Sequence, residues 1–117
     1  MTGDEKRVVV ETAPGGAVLI RVRGSLDGWS GSTELADALT GAADGGGSRT
    51  VVDLSGVEFA DSAWLHALLD GRRQHGAAGI PLVLAGPMTA TVHRLLEVTG
   101  TLGAFQVADT VDSAFTW

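Results

Sequence analysis

Val51-Val52-Asp53-Leu54-Ser55-Gly56-Val57-Glu58-Phe59-Ala60-Asp61-Ser62-Ala63-Trp64-Leu65-His66-Ala67-Leu68-Leu69 is the stretch from which the rest of the chain can be read. Thr50 to Leu54 is a near-continuous apolar run, the pattern of a strand buried on both faces. After a short connection, Asp61-Ser62 opens a segment in which Leu65, Leu68 and Leu69 recur at helical spacing. This predicts an amphipathic helix from Ser62 to about His75. Arg72-Arg73 in its last turns suit the helix dipole, and Gly76 and Gly79 bracket its end. The junction places a hydroxyl, Ser62, at a helix N-terminus beside a carboxylate, Asp61.

Working outward toward the N-terminus, Val8–Ala13 and Ala17–Arg23 are β-rich runs separated by Pro14-Gly15-Gly16, the chemistry of a hairpin. In the second run Val18, Ile20 and Val22 alternate with Leu19, Arg21 and Arg23, so one face is apolar and the other mostly wet. Gly24 to Gly28 reads as a turn. Ser30 or Ser32 then caps a helix to about Ala43 that aligns Leu35, Ala38, Leu39 and Ala42 on one face.

Toward the C-terminus, Pro81–Ala85 is a strand, and Gly86-Pro87 starts a helix with proline in its first turn. Val92, Leu95, Leu96 and Thr99 share a face of that helix, and Gly100 stops it. A strand at Ala104–Val107 and a last helix capped by Asp109 complete the order β-β-α-β-α-β-α-β-α. A hairpin feeding repeated βα units predicts one α/β domain over residues 1–117, with a mixed, mostly parallel sheet packed with helices.

Composition narrows the function. The 117 residues carry a net charge of -6, with Lys6-Arg7 and Arg72-Arg73 the longest positive runs, which argues against a nucleic-acid partner. There are no cysteines, so disulfides, thiolate nucleophiles and thiolate metal sites are excluded. No apolar run approaches the roughly 20 residues that span a bilayer, and Met1–Arg7 is not a signal peptide, so a cytoplasmic protein with no direct membrane contact is expected. His66, His75 and His93 fall at separate places with no completing carboxylates, so helix-surface or helix-terminal roles outweigh a metal site. Ser62 with His66 lacks a nucleophile elbow, and Gly45-Gly46-Gly47 precedes a strand and lacks Gly-Lys-Ser/Thr. No enzyme and no cofactor is expected. Phe59 and Phe105 read as core.

In open α/β sheets, sites gather at the carboxyl ends of the parallel strands. The topology brings Gly24–Trp29, Gly56–Ser62 and Ala85–Met88 to one such edge, with Asp27 expected near Asp61-Ser62. Ser62 is either an ordinary N-cap, worth about 1 kcal/mol, or a phosphoacceptor that helix N–H groups and the dipole would favour. Trp64 is either an exposed hot spot for a partner or a packing residue.

The apolar strand with Asp53-Leu54-Ser55, then Phe59-Ala60-Asp61-Ser62 entering a Leu-rich helix, resembles the signature of the STAS family. Gly24-Ser25-Leu26-Asp27, Leu82–Pro87 and the Val92–Gly100 helix are similar to its other elements in the right order. The resemblance implies the fold above and, in the antagonist branch, an anti-sigma factor antagonist. There the matching serine, Ser62, is phosphorylated by an anti-sigma factor with a kinase-type ATP site and restored by a PP2C-type phosphatase. Asp27, Asp61, Ser62, Ala63 and Trp64 would form the partner surface. The chain departs at Ala63-Trp64, where antagonists carry Ser/Thr-Gly. That departure motivates a rival: a STAS adaptor never phosphorylated, a subunit of a lipid-transport ATPase complex or of a signalling assembly. A more distant alternative is a sensor holding a nucleotide or small anion at the same edge. Monomer and homodimer both remain open.

Overall fold

The hairpin forms where Pro14-Gly15-Gly16 dictates it. β1 (Val8–Thr12) and β2 (Ala17–Leu26) pair antiparallel across a 3-10 turn at those residues. The computed structural model describes residues 7–26 and 28–117, with side chains outside 25–31. Three further strands follow, β3 (Arg49–Ala60), β4 (Leu82–Ala85) and β5 (Gln106–Ala108), all parallel to β2, in the spatial order β1-β2-β3-β4-β5. The helices are α1 (Gly28–Asp44), α2 (Ser62–Ala78), α3 (Ala90–Val98) and α4 (Val111–Phe115). This is the expected single α/β domain with a mixed, mostly parallel sheet.

The register explains the burial. Ile20, Val52 and Leu84 line up across β2–β4 on one face, where Leu35 and Leu39 of α1, Leu65 and Leu68 of α2 and Val92 and Leu96 of α3 close the main core. Leu19, Val51, Val83 and Ala85 point the other way, onto a smaller core with Ala108 and Ala114, beside α4. β3 and β4 are therefore apolar on both faces, as their continuous runs implied.

The Asp-Leu-Ser signature has a structural task in this sheet. The Asp53 carboxylate accepts from the Ser55 amide (3.0 Å) and hydroxyl (2.7 Å), and also from Arg21, which bridges it to Glu11. Just beyond, β2 and β3 shift register twice, between Arg21 and Arg23 and between Gly24 and Ser25. Glycine makes the offset possible: a Cβ on Gly56 would lie 2.9 Å from the Arg23 Cβ, and Gly24 has φ +81°.

Several boundaries depart from expectation. β3 continues to Ala60 rather than ending at Leu54, and β2 continues to Leu26 rather than turning at Gly24, because the two extensions pair with each other past the register shifts. α1 starts at Gly28, so neither Ser30 nor Ser32 is its cap. Gly86-Pro87 does not start α3. The Gly86 amide bonds to the Ala108 carbonyl and holds the chain to the sheet, and Thr89 caps the helix by accepting from the Val92 amide. Thr110, not Asp109, caps α4, and a 3-10 turn at Leu102–Ala104 delays β5 to Gln106. Phe105 is core, but Phe59 is 45% exposed. His75 falls in the last turn of α2, one of the two places expected for it, and is buried there.

Candidate functional site

α2 begins where β3 ends, at the carboxyl edge of the parallel strands. Asp61 is the N-cap: extended in backbone (φ -115°, ψ -173°), its carboxylate accepts from the Trp64 amide at 3.1 Å. Its carbonyl accepts the first helical bond, from the Leu65 amide at 3.1 Å. Capping therefore falls to Asp61 and not to Ser62. Ser62 occupies the first helical position, exposed, and its hydroxyl makes no hydrogen bond among the described residues. The amides of Ser62 and Ala63 belong to the first turn, which has no intrahelical acceptors to offer them. The site is thus a hydroxyl with no hydrogen bond among the described residues, in a helix turn whose amides lack intrahelical acceptors, with a carboxylate one residue upstream.

Ala63 is also exposed and borders a groove of about 520 Å³ between α1 and α2, with Thr33, Ala36, His66 and Ala67 as further walls. His66 lies one turn from Ser62 on the same helix face, exposed. Trp64 points inward. It is 0% exposed and packs in the main core, so its place in a partner surface is corrected: a buried indole offers a partner nothing to touch. Its Nε1–H has no hydrogen-bond partner among the described residues.

Parallel pairing of Leu26 with Ala60 ends β2 and β3 side by side. Asp27, which follows Leu26, lies outside the described residues. Among the described residues, the exposed aromatic at this edge is Phe59, three residues before Ser62. Sequence reasoning missed it by counting it as core. Its neighbour Glu58 is exposed as well, while Val57 and Ala60 are buried, so the period of two is broken in this segment. The two register shifts are the physical cause. The Thr89 hydroxyl donates to the Val57 carbonyl (3.4 Å) and ties the start of α3 to the same edge. Beside it, an open cavity of about 890 Å³ lies at the carboxyl ends of β4 and β5, lined by Pro87, Met88, His93, Arg94, Phe105 and Asp109 among others.

Away from this edge, His75 bridges α2 to β3. Its Nδ1 lies 2.7 Å from the Gly71 carbonyl and its Nε2 2.9 Å from the Thr50 hydroxyl. A carbonyl can only accept, so Nδ1 carries the proton and Thr50 donates to Nε2. Burial pushes the His75 pKa below 6.5, against a smaller upward pull from the Gly71 carbonyl. No group of three or more His, Cys, Asp or Glu side chains gathers to hold a metal among the described residues, and no described helix is long and apolar enough to cross a membrane.

A family model described as "Mlab, STAS domain" matches residues 9–105. The chain is similar to the crystal structure of an anti-sigma factor antagonist from Mycobacterium paratuberculosis, at 28% identity and TM-score 0.75, covering 98% of this chain and 95% of that one. It shares its fold with RsbS of Moorella thermoacetica, at 21% identity and TM-score 0.78, covering 95% and 93% of the two chains. It does so too with the phosphorylated form of the Bacillus cell fate determinant SpoIIAA, at 20% identity and TM-score 0.72, covering 93% and 96%. No curated protein matches in sequence.

Proposed function

Because this chain belongs to the STAS domain family, we propose that it is a non-enzymatic interaction switch of the anti-sigma-factor-antagonist type, acting in the cytoplasm. With Ser62 unphosphorylated, the α2 edge docks on an anti-sigma factor that has a kinase-type ATP site. Phosphorylation of Ser62 by that partner ends the contact, and a PP2C-type phosphatase restores it. Asp61, Ser62 and Ala63 belong to the docking surface, with Asp27 as a further member and Phe59 as its aromatic contact in place of Trp64.

The observation that carries this reading is the division of labour at the helix start. Asp61 caps, so the Ser62 hydroxyl is exposed and has no structural bond to lose. A phosphoryl group there adds about 1.5–2 negative charges and three acceptor oxygens. The first-turn amides and the helix dipole favour it, which leaves the fold intact. The same charge, set beside Asp61 on a chain of net charge -6, changes the surface that a partner meets. Among the structural neighbours, SpoIIAA has been solved in both unphosphorylated and phosphorylated forms.

The test is phosphopeptide mass spectrometry on the protein recovered from its native cells, beside a Ser62→Ala strain. Phosphate on Ser62, absent from that strain, is the expected result. No phosphate under any growth or stress condition refutes the switch. It would favour the second reading, a constitutive STAS adaptor, for which the specific observation is Ala63-Trp64 in place of Ser/Thr-Gly.

A further inference from the structure

The two edges of the sheet are unlike. β5 is three residues long, short enough to blunt an edge. β1 is five residues long with three consecutive valines, pairs with β2 without a register shift and contains neither proline nor lysine. No described residue pairs with its outer side, and Val10 is 53% exposed.

The ladder shows which backbone groups face outward. The Arg23 amide donates to the Arg7 carbonyl at 2.9 Å and the Ala13 amide to the Ala17 carbonyl at 2.8 Å. Antiparallel pairs alternate between bonded and non-bonded, so Val9 and Glu11 also spend their amides on β2. The amides and carbonyls of Val8, Val10 and Thr12 therefore face the open side.

We propose that this edge docks a second copy of the chain. The two β1 strands run antiparallel about a two-fold axis at Val9 and join the two five-stranded sheets into one. Arg7-Val8-Val9-Val10-Glu11 is self-complementary in this register. Val8 opposes Val10 of the second copy, and these are residues whose backbone groups face outward, so each such pair exchanges ladder bonds. Arg7 opposes Glu11 of the second copy, and the two-fold repeats that ion pair on the other side of the axis. Val9 meets its own counterpart.

The faces agree as well. Val8 and Val10 pair with Val22 and Ile20 of β2, on the three-helix face, where a cavity of about 440 Å³ beside Val10, Val18, Ala38 and Gly41 leaves room for added side chains. Arg7, Val9 and Glu11 share the opposite face, where Glu11 also accepts from Arg21 at 3.0 Å. An unrelated apolar strand would match the valines but not the reversed charge pattern at both ends, which a symmetric copy satisfies twice. Pairing along five residues is a small contact beside the roughly 1,600 Å² of a standard interface, so the association is weak and concentration-dependent.

The experiment is sedimentation equilibrium of the full chain from about 10 µM to about 1 mM. A monomer–dimer equilibrium that weakens with salt is expected. Val10→Pro removes one outward amide and no β1–β2 bond, so it abolishes the dimer while circular dichroism remains that of the folded chain. Arg7→Glu and Glu11→Arg each weaken the dimer about fivefold, and the double variant that swaps both charges restores it. That rescue stays informative even if the proline variant fails to fold. A chain that is monomeric at the highest concentration overturns the proposal. So does a dimer indifferent to Val10→Pro and to the charge swap, which would rest on another face.

Discussion

If Asp61 and not Ser62 caps α2, the two residues respond unequally to alanine. Asp61→Ala removes the bond to the Trp64 amide (3.1 Å) and a negative charge at the positive end of a 17-residue helix. Loss of a cap costs about 1 kcal/mol, and the charge–dipole contact a further 0.3–1 kcal/mol or so, for a total of about 1.5 kcal/mol. At a urea slope of about 1.5 kcal/mol/M this lowers the unfolding midpoint by about 1 M. Ser62→Ala removes an exposed hydroxyl with no hydrogen bond, so the change stays within about 0.5 kcal/mol and the midpoint hardly moves. Equilibrium urea unfolding, followed by both circular dichroism and tryptophan fluorescence, reads both variants and checks that the transition is two-state. If Ser62→Ala costs as much as Asp61→Ala, the hydroxyl is doing the capping. Ser62 is then an ordinary helix-start serine, and the main support for the switch is gone.

The Trp64 indole fills core space where antagonists carry glycine, so Trp64→Ala should cost about 3–5 kcal/mol, enough to leave a marginal domain largely unfolded. Trp64→Phe trades lost packing against removal of a buried, unpartnered N–H, and should stay within about 1.5 kcal/mol of the parent. Equal losses in the two urea midpoints would contradict the burial. His75 titrates below 6.5 when folded, so between its folded pKa and 6.5 the unfolded chain binds more protons and stability falls as pH drops. The slope contributed is at most about 1.4 kcal/mol per pH unit, and the contribution is flat above about pH 7.5. Urea midpoints at pH 7.5 and 5.5 should differ in that sense, and less so in His75→Gln. A parent whose stability is unchanged or higher at pH 5.5 would refute the assignment.

The order of elements was legible because it rests on periodicity. Ile20 and Val22 repeat every second residue and Leu65, Leu68 and Leu69 at helical spacing, and these patterns persist wherever the chain packs. The Asp61-Ser62 junction was legible as a helix start for the same reason, but which of the two caps was not. Both residue types cap well, and the choice depends on one residue of helix phase. That phase is set by where β3 stops, and β3 runs on to Ala60 only because it pairs with the end of β2.

The same dependence exchanged the roles of the two aromatics at the edge. Phe59 lies in a strand segment whose alternation is broken by two register shifts, so a residue counted as core is exposed. Trp64 belongs to a helix whose docking angle turns the indole inward. His75 shows the limit from the other direction. Its place at the helix end was legible from spacing, whereas the reach of its ring to Thr50 across the chain, and its burial, were not. By itself the sequence determined the α/β class, the order of the elements and the location of the helix start that bears Ser62, because each follows from local hydrophobic period and turn chemistry. Tertiary structure decided which groups near that start are free and which are spent, because register, burial and capping come from contacts between segments far apart in the chain.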